Sequence, residues 1–340
     1  MFEEFRDFCF THYELDPEHY VSLPGFSWDA LMKSTGVELE LLTQPEMYLF
    51  IERAIRGGYA GIVHREASAN NQLMGEGYDV GKPSSHIAYW DANNLYGHAM
   101  SRPMPTGGFE WMDQPGEFDL HQLTARTGVG YVLEVDLHYP KRLHELHSDL
   151  PLAPEQRWLH YHDLSAYSKQ LLDASKGDGT EGSGRGYYAK KLCQTLFDKK
   201  AYVVHGRILQ LYLELGLQVT RIYKVLKFNE SPWMEPYIAK NTVFRQQATS
   251  AFHKDLFKLL NNSIFGKSIQ NNRKQRNVRI ITTTEELEKT AARPYLKRWQ
   301  PLRENLVVAE LIKPVIKIDR PIYVGFSVLE LSKEHINRFH

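Results

Sequence analysis

Asp91-Ala92-Asn93-Asn94-Leu95-Tyr96-Gly97 is the stretch whose reading decides the fold. It follows a short apolar run, Ile87-Ala88-Tyr89-Trp90, that reads as a strand. A carboxylate at a strand end, an Asn-rich turn and then an aromatic suit a metal-assisted phosphoryl-transfer site. Aspartate is a hard oxygen ligand, and Mg²⁺ takes one or two carboxylates together with substrate phosphates. Taken alone, Asp91 equally suits a residue capping the turn at Asn93-Asn94.

A second constellation answers it, Lys258-Leu259-Leu260-Asn261-Asn262-Ser263-Ile264-Phe265-Gly266-Lys267. On a helix, Lys258, Asn262 and Phe265 stand at i, i+4 and i+7 and share one face. That face offers a cation for phosphates, an amide for a sugar or base, and a ring for stacking. The alternative is a core-facing helix with a snorkelling lysine. Phe265-Gly266-Lys267-Ser268 is no P-loop, because Asn261 stands where the loop needs its first glycine and a helix precedes it. Gly81-Lys82-Pro83 lacks the following Ser or Thr.

The chain has 340 residues, room for about two domains. Hydrophobic residues at 42% and charged residues at 24% are ordinary for a globular protein. No apolar run is long enough to span a membrane, and the acidic Met1-to-Asp7 start is no signal peptide. Cys9 and Cys193 support neither a disulfide framework nor a zinc site, and they suggest an intracellular home. The 41 basic and 41 acidic residues cancel, so the global charge does not advertise nucleic acid. Lys267, Arg273, Lys274, Arg276 and Arg279, with no acid between them, give the local basic density that phosphate backbones respond to, or else a solvated face. His138, His144 and His147 cluster without a partnering carboxylate pattern and read as satisfied or solvated histidines.

The periodicity predicts helices through residues 1–55, with Pro45 at a helix start and Thr43 as its cap. A Gly-rich loop follows over 59–84, and strands between 86 and 140, notably Tyr131 to Leu137. Helices are expected at 156–175, 187–215 and 245–269, and a basic helix at 286–299. Strands are expected at 221–228, 277–284, 306–318 and 321–329, with a helix starting at Ser332. Asp173 to Gly186 reads as a flexible surface loop. Helices grouped between strands make an α+β class and argue against a doubly wound sheet.

Together the two constellations resemble motifs A (D-x-x-x-L-Y) and B (K-x-x-x-N-S-x-Y-G) of family B DNA polymerases, in the form used by the protein-primed branch. The resemblance is strongest to the enzymes of viruses, linear plasmids and self-synthesising transposons. Ala69-Asn70-Asn71, Gly130 to Glu155 and Lys200 to His205 are also similar to the transposon-like group. The resemblance implies the middle of a right-hand polymerase: an antiparallel palm sheet carrying Asp91, and helical fingers carrying Lys258 to Gly266. It implies a segment 1–85 following an exonuclease domain and a palm with an inserted region over 86–240. Fingers over 241–285 and a return to the palm over 286–340 complete the division.

It also implies roles. Asp91 would be one of two metal-binding carboxylates of a two-Mg²⁺ site, with the Ala92 carbonyl a further ligand. Tyr96, beside Leu95, would stack under the incoming sugar and exclude a 2′-hydroxyl. Lys258 would hold the triphosphate and protonate the leaving pyrophosphate. Asn262, Ser263 and Gly266 would shape the nucleotide pocket. Phe265 stands where many relatives carry Tyr, keeping the ring without the hydroxyl. Arg56-Gly57-Gly58 resembles a template-contacting Y-x-G-G element in which Ile55 replaces the Tyr, and Lys267, Arg273 and Lys274 would meet DNA. The implied partners are template and primer DNA, deoxynucleoside triphosphates and a terminal priming protein contacting the 140–235 region; no membrane is involved.

Motif C, an acidic D-T-D supplying the second metal carboxylate, does not occur in the sequence. Glu134 and Asp136 lie on a predicted strand and read as a polar strand face rather than as substitutes. The expected function is therefore template-directed deoxynucleotidyl transfer by an incomplete chain. The alternative is an inactive remnant that binds nucleic acid or nucleotide. A nuclease or ligase-like transferase using Asp91 would leave the Lys258 and Asn262 face without a role. A palm without its motif C hairpin would expose a sheet edge, so marginal stability is expected.

Overall fold

The computed structural model describes residues 2–64, 66–124, 127–175 and 188–340. The chain opens with α1 (Phe2–Tyr13), α2 (Leu23–Thr35) and α3 (Pro45–Ala54). Pro45 sits in the first turn of α3, where its missing N–H costs nothing. The cap, however, is Gln44 rather than Thr43, and no side-chain bond closes it. Little regular structure follows until α4 (Leu95–Met100), apart from a 3₁₀ segment at Gln72–Gly77 and a bridge between Asn70 and Ser85.

Then come β1 (Met104–Trp111), β2 (Val129–His138), β3 (Glu155–His160), α5 (Ala166–Ser175), β4 (Tyr188–Cys193), β5 (Lys199–His205), α6 (Gly206–Glu214) and β6 (Gln218–Ser231). The helices α7 (Glu235–Gln247) and α8 (Ala251–Ser268) lead to β7 (Asn277–Ile281), α9 (Thr284–Ala291), β8 (Leu296–Arg303), β9 (Leu306–Leu311) and α10 (Ile322–Phe339). Three antiparallel sheets result, ordered β1-β6-β2-β5, β3-β4 and β7-β9-β8. The α+β class holds.

The four-stranded sheet is buried on both faces. Val132, Val203, Leu226 and Phe228 point to a core shared with α1, α2, α3, α4, α7, α8 and α10. Their neighbours Leu133, Val204 and Val225 point to a second core with α6 and the Tyr139-to-Leu152 segment. Alternating strand residues face opposite sides, so a strand apolar on both sides reads as a continuous apolar run. Glu134 and Asp136 interrupt it and are paired: Glu134 accepts from Arg53 Nη2 at 2.6 Å, and Asp136 accepts from Lys200 Nζ and the Ala201 N–H, both at 2.9 Å.

Several expectations are corrected. Ile87 to Trp90 is extended but joins no sheet, and Ile87, Tyr89 and Trp90 are largely exposed. No described strand pairs with the run, so Asp91 is not carried by the four-stranded sheet. Residues 156–160, 188–193 and 199–205, expected as helix, are strands: β3 and β4 form a hairpin and β5 is an edge of the main sheet. Only α5 and α6 keep helix in those windows, and the expected loop lies, from residue 176 to 186, outside the described residues. The long helix at 245–269 is broken at 248–250, where Ser250 caps α8 by accepting the His253 N–H. The basic helix at 286–299 ends at Ala291 and gives way to β8.

The largest correction is α10. Pro321 to Leu329 reads as a strand but is helical. Of its 18 residues, 14 are buried, because the helix runs between α3, α4, α6, α8 and the sheet. A helix apolar on all sides loses its amphipathic period. Gly325 marks the tightest crossing: a Cβ there would stand 2.1 Å from Ile269. Buried charges on α10 are compensated locally, Lys333 Nζ donating to Glu330 at 2.9 Å and to the Arg56 carbonyl at 2.9 Å. Cys9 of α1 is fully enclosed in the larger core, and burial, with a smaller contribution from Asp16, pushes its thiol up to about 12; Cys193 on β4 is half-buried.

Candidate nucleotide cleft and carboxylate cavity

Asn94 starts α4 in the left-handed conformation, φ 56°, which asparagine tolerates better than most residues. Its side chain folds over the first helical turn so closely that a Cβ on Gly97 would lie 2.0 Å from Asn94 Nδ2. A side chain at 97 would require the Asn94 amide to move. This turn places Tyr96 against Phe265 of α8, the rings stacked with centroids 4.9 Å apart and 27° between planes. The two sequence constellations therefore touch.

On one side of α4 a cleft of about 680 Å³ opens toward α7 and α8. Its lining includes Asn94, Gly97, Ser101, Arg245, Lys254 and Lys258, and no lining residue is acidic. Three cations around one concavity suit a polyanion such as a triphosphate. Asn261 rather than Asn262 lines the cleft. Asn261 is buried and accepts from Asn241 Nδ2 at 2.8 Å, while Asn241 accepts from the Tyr13 hydroxyl at 2.5 Å. Ser263 donates to Ser27 Oγ at 2.9 Å, holding α8 to α2. Asn262 and Leu95 are half-buried, and Gly266 is exposed with open space about it.

On the other side of α4, Asp91 lines a separate, largely apolar cavity of about 450 Å³ with Trp90, Ala92, His335 and Phe339. Trp90 and Phe339 meet edge to face at 5.6 Å. Asp91 and Lys258 thus do not share a cavity. The seam between the two is a pair of imidazoles, His98 and His335, 4.3 Å apart. His98 lines the cleft and its pKa is lowered, first by burial and then by His335 and Arg102, with Glu334 opposing.

The oxygen donors about Asp91 are one exposed carboxylate and the adjacent backbone, with the imidazoles of His335 and His340 in the same lining. Among the described residues no group of three or more His, Cys, Asp or Glu converges on a metal position. The set suits one weakly held hard cation and does not fit a two-ion site.

The proposed DNA contacts divide. Arg56 is corrected: it is buried, its guanidinium donates to the Val203 carbonyl, lies 4.0 Å over the Tyr202 ring and stands 3.7 Å from Glu330. Gly57 and Gly58 are exposed, with nothing within 4 Å of where a Cβ would stand on either. Lys274 is exposed, Lys267 is half-buried, and Arg273 is engaged by Glu52. Sequence reasoning missed Arg245, Lys254 and Asn261. Lys254 stands four residues before Lys258 and was detectable by helical spacing; Arg245 enters only because α7 packs against α8.

No family model and no curated protein matches the sequence. Among solved structures, the chain has a polymerase-like fold. It is similar to phi29 DNA polymerase complexed with primer-template DNA, with TM-score 0.51, 12% identity and 96% of this chain covered. It is likewise similar to an orthorhombic crystal form of phi29 DNA polymerase, with TM-score 0.50, 11% identity and 93% covered. The chain spans less than half of those polymerase chains, 45% and 44%. At such identity the likeness shows the fold alone.

Proposed function

We propose that this chain is part of a family B DNA polymerase of the protein-primed type and carries the nucleotide-binding half of its active centre. The observation that carries the reading is the acid-free cleft with Lys258, Lys254 and Arg245 beside the Tyr96–Phe265 stack. In this reading the three cations hold the triphosphate of a deoxynucleotide, and Tyr96 and Phe265 present a flat floor to its sugar. The α7–α8 pair corresponds to the fingers and the β1-β6-β2-β5 sheet to the palm. The open backbone at Gly57-Gly58 leaves room for a template phosphate to approach. The priming protein would meet the 140–235 region, where Trp158 and Tyr188 stack at 4.4 Å on the exposed β3–β4 hairpin.

Mg²⁺ would meet Asp91 and the Ala92 carbonyl. Because these donors do not complete a two-ion site, the transfer step requires a second carboxylate. A second reading, a chain that binds nucleotide or nucleic acid without catalysis, is favoured by the separation of Asp91 from the Lys258 cleft.

The test is primer extension by the purified 340-residue chain with Mg²⁺ and deoxynucleoside triphosphates, run beside binding of a fluorescent deoxynucleotide. Extension abolished by Asp91→Ala supports the enzyme. Nucleotide binding lost in Lys258→Ala, with no extension in the parent chain, supports the second reading. Failure of the parent chain to bind either the deoxynucleotide or the primer-template DNA overturns both.

A further inference from the structure

A third, smaller cavity, of about 60 Å³, lies away from the proposed nucleotide cleft, at the N-terminus of the nine-residue helix α6. Arg102, Arg207 and Arg338 line it with Glu230, Glu334 and His205. Arg102 and Arg338 are held by Glu334, and Arg338 also by Glu214 outside the lining; Arg207 is held by Glu230. Each guanidinium carries five N–H donors, so these ion pairs fix its orientation while donors remain for a ligand.

Two residues of this lining each carry a buried side-chain atom without a partner. His205 is 1% exposed, and its Nδ1 accepts the Arg207 backbone N–H at 3.2 Å. The neutral ring therefore carries its proton on Nε2, and that N–H is unpaired. The Glu230 side chain is 4% exposed; Oε1 takes Arg207, and Oε2 is unpaired. A buried donor and a buried acceptor are each costly to leave unsatisfied, so a ligand that offers both groups would fit.

We propose that this cavity binds a phosphate monoester or inorganic phosphate in a protonated form. The phosphate oxygens accept from His205 Nε2–H, from the arginines and from the α6 N-terminus, which favours anions. The remaining P–O–H donates to Glu230 Oε2. The same geometry rejects sulfate, which has no proton to give and would set an oxygen lone pair against the carboxylate. It also rejects the phosphodiesters of a nucleic-acid backbone, which are fully ionised at neutral pH. The site is thus separate from contact with a nucleic-acid backbone and does not rest on the polymerase reading.

The test is calorimetric titration of the full chain with inorganic phosphate, sulfate, dimethyl phosphate and a 5′-phosphorylated oligonucleotide. Saturable phosphate binding, at least about ten-fold tighter than sulfate, is expected. Glu230→Gln, whose amide can donate to an unprotonated oxygen, should reverse the order by strengthening sulfate binding, a gain that a misfolded variant cannot produce. Tighter binding of the 5′-phosphorylated oligonucleotide than of its unphosphorylated twin identifies a chain terminus as the source; preference for inorganic phosphate identifies the free ion. Equal affinity for phosphate and sulfate, or no saturable phosphate binding because the space holds only water, overturns the proposal.

Discussion

Tyr96 and Phe265, 169 residues apart in sequence, stack at 4.9 Å and join the turn after Asp91 to the helix bearing Lys258. The stack is the direct physical link between the two sequence constellations. Its coupling should be measurable by a double-mutant cycle of Tyr96→Leu and Phe265→Leu in urea unfolding, at about 0.5–1.5 kcal/mol. Phe265→Tyr keeps the ring and should keep nucleotide binding, whereas Phe265→Leu should weaken it. Equal binding by both variants would remove the stack from the nucleotide site.

Gly97→Ala should destabilise the chain by about 1–3 kcal/mol, because the new methyl would overlap the Asn94 amide. The companion change Asn94→Gly removes the obstruction and retains a residue at ease with φ 56°. The double variant should recover much of the loss. An unchanged denaturation midpoint in Gly97→Ala alone would show that Asn94 yields without cost.

His205 sets a pH dependence. Burial, reinforced by Arg207 and Arg102, lowers its pKa to about 3. In the unfolded chain the ring titrates near its ordinary value of about 6.5. Between those values the unfolded state binds more protons, so stability is fully present above about pH 6.5 and falls as the pH drops toward 3, with a limiting slope of about 1.4 kcal/mol per pH unit. His205→Asn retains a side-chain oxygen able to accept the Arg207 N–H at the start of α6 and should flatten that slope. Urea unfolding at pH 7, 6, 5 and 4 measures the difference; parallel curves for both proteins would contradict it.

Arg56→Ala should cost about 1–3 kcal/mol, since it leaves the buried Val203 carbonyl without its donor while Glu330 keeps Lys333. Lys274→Ala, on the surface, should shift stability by no more than about 0.5 kcal/mol while weakening DNA binding. Thermal melts and DNA-binding titrations of the two variants separate the roles. A stable Arg56→Ala protein that has lost DNA affinity would restore the template-contact assignment. The same melts test the expected marginal stability: a cooperative transition of the parent chain above about 60 °C would contradict it.

The sequence made some of this legible and concealed the rest for physical reasons. Tyr131 to Leu137 announced a strand because its β-branched and aromatic run is buried on both faces. Lys258 and Phe265 were readable because helical spacing puts them on one side of α8. The Pro321-to-Leu329 run misled because burial all round removes helical periodicity, leaving only β-branched composition to judge by. Ile87 to Trp90 misled in the opposite sense: strand-like residues do not make a strand without a neighbour to pair with. Arg56 was expected at a template contact by resemblance, and sequence carries no record of the Val203 carbonyl and Tyr202 ring that enclose it.

The two cysteines furnish the chain with its own clock. Cys193 lies half-buried on β4, whereas Cys9 is enclosed, with its thiol pushed up to about 12 and almost no thiolate at neutral pH. An alkylating reagent should therefore modify Cys193, whose thiol is raised less by burial, before Cys9, which reacts only when α1 lifts from α2 and α8. The rate of the second modification reports the opening of the helical layer that includes α8, and, if the proposed nucleotide cleft binds a deoxynucleotide across α7 and α8, that ligand should slow it without altering the first.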